Sequence, residues 1–155
     1  RGILTLPLLD EGGSRLGIEV CDLETGERRE LARVDLDQGG PRAGSYYFDP
    51  AALQGGQDVV VRAIAIGCDL LIVDEIGRLE LEQNTGFYRV LELLAAGVVP
   101  RSLLVVRTAL LDAFHRRLPD LKFITCEVTE DNRDMLPLQI VQRLFPLHLL
   151  PTVTC

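Results

Sequence analysis

The chain has 155 residues, 47% of them hydrophobic and 25% charged, with a net charge of −7 at neutral pH. That length suits one domain with a real core, the composition excludes general disorder, and the acidic balance opposes tight non-specific binding to nucleic acid or an anionic membrane. No apolar run approaches the roughly 18 residues of a membrane span and no secretory signal pattern opens the chain, so a cytoplasmic protein without membrane contact is expected.

From Gly2 to about Phe48 the pattern is strand and turn: a strand over 3–8, a Glu11-Gly12-Gly13 turn, a strand over 16–22, a Thr25-Gly26 turn and a strand over 30–34. Alternation of Leu16, Ile18 and Val20 predicts a half-exposed hairpin strand. Asp49-Pro50, an N-cap followed by proline at the first helical position, opens a helix over 50–66. Strands and helices then alternate. A strand covers 69–73, and Asn84 or Thr85 caps a helix carrying Phe87, Val90, Leu91 and Leu94 that Gly97 closes. A strand over 102–106, a helix over 110–118, a strand over 122–126 and a helix from about 137 to 145 follow, and the tail 146–155 reads as irregular. Alternating β and α predicts a three-layer α/β domain. The apolar, β-branched runs 69–73, 102–106 and 122–126 are its expected parallel core strands. The glycine pairs Gly12-Gly13, Gly39-Gly40 and Gly55-Gly56 read as turns or loops. Cys21, Cys68, Cys126 and Cys155 are widely spaced and expected to be reduced thiols. His115 and His148 have apolar neighbours and no metal-ligand spacing.

Asp69–Glu80, reading DLLIVDEIGRLE, is the most informative stretch. Leu70, Leu71, Ile72 and Val73 run straight into Asp74 and Glu75, and then into Ile76-Gly77. A short unbroken apolar run is the pattern of a parallel strand buried on both faces. Acids at its carboxyl end lie where open α/β sheets bind ligands. In P-loop nucleoside triphosphatases this is the Walker B position, where the aspartate holds Mg²⁺ or its water and a following glutamate can act as general base. The partner motif is missing: no G-x-x-x-x-G-K-[ST] loop is present, and the one lysine, Lys122, has no glycine near it.

Asp74-Glu75-Ile76-Gly77-Arg78-Leu79-Glu80-Leu81 resembles the D-E-I-G-(K/R)-M-E-L signature of the thermophilic, or cancer-related, nucleoside-triphosphatase family. Val128-Thr129-Glu130-Asp131-Asn132-Arg133-Asp134-Met135-Leu136-Pro137 resembles its V-T-x-E-N-R-D-x-L-P segment. Arg15 to Val20 is similar to its R-x-G-F hairpin, and Gly44 to Asp49 to its G-x-Y-x-V-D stretch. Two departures are mild: Asp131 stands in place of glutamate and Leu79 in place of methionine.

The resemblance implies the three-layer, RecA-like α/β fold of P-loop NTPases, a mostly parallel sheet with the N-terminal β-hairpins at one side. It also implies Mg²⁺-dependent hydrolysis of ATP, GTP or other nucleoside triphosphates with loose base selectivity. Asp74 would hold the metal, Glu75 would activate water, and the backbone of Leu70, Leu71, Ile72, Val73, Asp74, Glu75, Ile76 and Gly77 would line the nucleotide. Asn132 and Arg133 could approach base or phosphate, or else cap and pair on the surface; Arg107 could sense the terminal phosphate or stand as a surface arginine. Arg78 could pair with Glu80 or reach phosphate. Family members begin with a strand, a phosphate-binding loop and a helix, a segment expected just before Arg1, whose strand would lie between 102–106 and 122–126. Without that segment the alternative is a non-catalytic NTPase-fold module kept for protein–protein contact.

Overall fold

Gly2–Leu9 (β1), Arg15–Asp22 (β2) and Arg28–Arg33 (β3) fold back on one another as antiparallel neighbours, and Arg42–Ala43 (β4) and Tyr46–Phe48 (β5) extend the same ladder. The computed structural model describes residues 1–99 and 101–146. The chain, read from sequence as one domain, divides into two compact units, Arg1–Leu121 and a second that begins at Lys122. In the first unit Leu71–Ile76 (β6) and Ser102–Val106 (β7) complete a seven-stranded sheet in the order β4-β5-β3-β2-β1-β6-β7.

The parallel part of the sheet is β1-β6-β7, flanked on the β1 side by the antiparallel extension. β1 therefore does two jobs, as an arm of the hairpin with β2 and as a parallel neighbour of β6 through Gly2↔Ile72 and Ile3↔Val73. Glycine is required at position 2: φ is +122°, and a Cβ there would lie 1.9 Å from the carbonyl oxygen of Ile72. Ile3, Leu71, Val73 and Ile76 are fully buried, each contributing about 1.5–3 kcal/mol of apolar transfer.

Pro50–Ile66 (α1) forms as the Asp49-Pro50 pair predicts, with Asp49 Oδ1 accepting from the backbone of Ala51 and Ala52 at 2.7 and 3.4 Å. Its buried face, Ala52, Leu53, Gly56, Val60 and Ala63, recurs at helical spacing. Gly55-Gly56 is thus not the turn that the pair of glycines predicts. A Cβ on Gly56 would meet the Phe87 ring at 2.5 Å, so close packing, not turn formation, is what calls for glycine there.

Arg78–Glu82 (α2) is a short helix that no pattern predicts, Arg89–Ala95 (α3) and Leu111–Arg117 (α4, preceded by a 3₁₀ turn at Thr108–Leu110) are shorter than their patterns predict, and Leu136–Leu144 (α5) forms within a residue of its predicted place. β6 runs to Ile76, so Asp74 and Glu75 lie within the strand and not beyond it.

The expected strand over 122–126 does not form; these residues carry no regular structure, and Ile124 is 73% exposed. β-branched content measures fit to a pleated, half-buried surface more than a backbone preference, and a lone strand has no ladder to satisfy its backbone. Among the described residues β7 pairs only with β6, which leaves it at the edge of the sheet. The expectations for the tail beyond Pro146, including His148 and Cys155, lie outside the described residues. No helix among the described residues is long and apolar enough to cross a membrane.

Candidate active site at the end of strand β6

Side chains of a regular strand alternate between two faces, and Leu71 and Val73 of β6 point into the core as that rule requires. The rule breaks at Glu75. Asp74 is paired with Val105 and Ile76 with Val106, so Glu75 is an extra residue without a partner on β7. A bulge of this kind re-aims side chains and recurs beside functional sites. Here it falls at the second of the two acids, at the carboxyl end of a buried parallel strand.

Each acid has a different partner. Asp74 Oδ2 accepts from the backbone nitrogen and the hydroxyl of Thr5 on β1, at 3.3 and 3.2 Å. Its other oxygen, Oδ1, makes no hydrogen bond with the described residues. Glu75 is gripped by Arg107, the residue immediately after β7: Nε donates to Oε1, and Nη2 donates to Oε2 at 3.3 Å. The bond to Glu75 and its charge push the Arg107 guanidinium above its ordinary pKa, so it stays cationic.

A third carboxylate lies beneath them. Glu80 of α2 is only 4% exposed. Its Oε2 accepts from Gly77 N and its Oε1 from Phe87 N, both at 2.8 Å. Burial pushes its carboxyl above the ordinary range; the two backbone bonds pull the other way, and the charge of Glu75 adds to the rise. Glu80 thereby ties the residue that follows β6 to the turn before α3. The Arg78–Glu80 pairing considered from sequence does not occur, because Glu80 is committed to backbone and Arg78 faces Glu82 at 4.0 Å.

Glu75 and Arg107 form part of the wall of a cleft of about 540 Å³, whose other walls include Thr5, Tyr46, Phe48 and Phe87. That volume lies within the range of small-molecule sites. Of the residues expected to line a nucleotide, Leu71, Val73 and Ile76 are fully buried, backbone included, and all three pair with β7, so none of them offers surface to a ligand in this chain. The amide of Gly77 is already taken by Glu80.

Asn132 and Arg133 belong to the second unit. Asn132 accepts from Thr129 N at 2.9 Å and donates to Glu127 O at 2.8 Å, so both ends of its amide are used in its own turn. Arg133 lies 3.9 Å from Asp134 and is largely exposed.

Sequence reasoning missed Thr5 and Glu80. Thr5 gives no signal until the β1–β6 pairing is known. Glu80 had one: Gly77 and Glu80 stand three residues apart at a helix start, the spacing at which a glutamate reaches back to the cap amide.

Among the described residues no group of three or more His, Cys, Asp or Glu could hold a metal unaided. The donor set still fits Mg²⁺, which is commonly bound by one or two carboxylates together with substrate phosphates. Asp74 offers a hard oxygen donor with one oxygen unengaged and the other fixed by Thr5.

A model of the NTPase family matches residues 1–141. The chain is 45% identical over 76 residues to the nucleoside-triphosphatase THEP1 of Ignicoccus hospitalis, a match covering 49% of this chain and 41% of that protein. It is 31% identical over 147 residues to the THEP1 of Methanothermobacter thermautotrophicus, covering 95% of this chain and 80% of that one. Among solved structures, THEP1 from the hyperthermophile Aquifex aeolicus superposes with a TM-score of 0.65 at 19% identity, over 93% of this chain and 83% of that one. A human cancer-related nucleoside triphosphatase superposes with a TM-score of 0.57 at 25% identity, over 93% of this chain and 80% of that one. These likenesses agree with the α/β fold described above.

Proposed function

Because this chain belongs to the NTPase family, we propose that the acids at the end of β6 hydrolyse a nucleoside triphosphate to its diphosphate and phosphate. The observation that carries this reading is the bulge that sets two different carboxylates at one strand end: Asp74 with an oxygen to spare, and Glu75 on the wall of a cleft. Asp74, held by Thr5, is the residue that would bind Mg²⁺. Bound there, the cation would neutralise charge on the phosphate oxygens. Glu75 takes the proton of the attacking water, and Glu80 keeps the backbone that carries Glu75 from drifting.

Phosphoryl transfer depends on positioning and charge neutralisation more than on covalent chemistry, so a phosphate cradle is needed as well. The reading places a strand, a glycine-rich loop with its lysine and a helix ahead of Arg1, with that strand adding to the free edge of β7. The nucleotide phosphates then lie on the β7 side of Glu75. ATP and GTP are both accommodated in this scheme, because no described group near the acids is committed to one base.

The test is Asp74→Asn in the full-length protein. It keeps the shape and the acceptor for Thr5 but removes the charge that draws the metal. Mg²⁺·nucleotide binding, followed by calorimetry, is expected to weaken about tenfold or more, since each tenfold is only about 1.4 kcal/mol. Binding of metal-free nucleotide should change little. Equal loss with and without Mg²⁺ would contradict the metal role, and unchanged hydrolysis would contradict the site.

A further inference from the structure

The grip of Arg107 on Glu75 conflicts with the work assigned to Glu75. A base must offer an oxygen to water, and here both carboxylate oxygens receive hydrogen bonds from one guanidinium. The grip is also easily lost. The Arg107 side chain is 70% exposed and that of Glu75 is 30% exposed, and an ion pair so open to solvent is worth only about 0–1 kcal/mol. Arg107 stands at the carboxyl ends of adjacent parallel strands, where an open α/β sheet receives its ligand. A terminal phosphate carries more negative charge than a carboxylate and suits the planar fork of arginine as well or better.

We propose that Arg107 releases Glu75 when a triphosphate binds and moves onto its terminal phosphate. One movement then frees the base and places a cation on the group being transferred. The water oxygen forms its bond to the terminal phosphorus while the bond from that phosphorus to the β,γ-bridging oxygen breaks. The electron pair leaves with the diphosphate, and the proton of the water goes to the Glu75 carboxylate. This inference rests on the reading of Glu75 as base and adds a second residue to it. Without substrate the pair holds Glu75 engaged, which makes Arg107 both a brake on the empty site and a contributor to the reaction.

The experiment compares Arg107→Gln and Arg107→Lys with the parent, all as full-length protein. Each is measured for hydrolysis rate, nucleoside diphosphate binding, binding of diphosphate with aluminium fluoride as transition-state mimic, and melting temperature. Arg107→Gln is expected to lower kcat about 10²-fold, as loss of one charge-stabilising donor typically does, and to weaken the mimic by a similar factor. Diphosphate binding and melting temperature should stay at parent values, because the diphosphate lacks the terminal group and the ion pair is exposed. Arg107→Lys should recover part of the rate, keeping the charge but losing the fork. A parent-like kcat would overturn the proposal. So would a raised kcat, which would make Arg107 a brake only, and so would equal loss of diphosphate and mimic binding, which would make it structural. Glu75→Gln run beside them separates the two readings: a parent-like rate there removes Glu75 as base, whereas the mimic binding of Arg107→Gln is decided independently.

Discussion

In the full-length protein, Glu75→Gln is expected to lower hydrolysis about 10²–10⁴-fold, the usual cost of losing a general base, while nucleotide binding stays largely in place. The amide keeps the size and shape of the carboxylate and can still accept from Arg107, so neither the bulge nor the cleft is disturbed. What is lost is the capacity to take a proton from water. Binding of a fluorescent triphosphate and release of phosphate, measured on the same preparation, separate the two effects. Hydrolysis at the parent rate would remove Glu75 from the chemistry.

Glu80→Ala is expected to carry the largest cost in stability. It strips the acceptors from Gly77 N and Phe87 N, at about 1–3 kcal/mol for each group left unsatisfied, or about 2–6 kcal/mol together. A domain of about 5–15 kcal/mol total stability feels that strongly. Urea unfolding is the measurement, and a loss below about 1 kcal/mol would mean that water replaces both bonds.

Glu80→Gln adds a pH signature. Burial raises the folded-state carboxyl above its usual 4.5, so the folded chain holds that proton more tightly than the unfolded one. The stability contributed is fully present below the unfolded value and is lost as pH rises through the folded one. The parent should therefore gain on Glu80→Gln as pH falls from neutrality toward about 4.5. A constant difference across that range would contradict the burial of the charge.

Strands β1, β2, β3, β6 and β7 were legible because their signals are local, whereas the two- and three-residue β4 and β5 gave none. The alternation Leu16, Ile18, Val20, the Asp49-Pro50 cap and the apolar run into Asp74 each belong to one element, and each element formed within a few residues of its predicted place. The failures came where tertiary context decides. Residues 122–126 have the composition of a strand but no ladder, and Gly55-Gly56 looks like a turn but packs a helix against Phe87. The site divides along the same line. Asp74 and Glu75 are neighbours in sequence and announce themselves, and the DEIG segment with its flanking blocks carried the family resemblance. Thr5 and Arg107 reach them from other strands, so their roles depend on the β1–β6–β7 pairing. Glu80 owes its role to burial, which composition does not reveal.

The central claim is that a metal–nucleotide complex meets the carboxyl end of β6. The most direct measurement is anomalous scattering from Mn²⁺, substituted for Mg²⁺, in crystals of the full-length protein with a non-hydrolysable triphosphate. The account predicts one strong peak touching Asp74 Oδ1 directly or through a single water, between that oxygen and the terminal phosphates. A well-ordered metal–nucleotide complex bound elsewhere, with Asp74 and Glu75 facing only solvent, would contradict it.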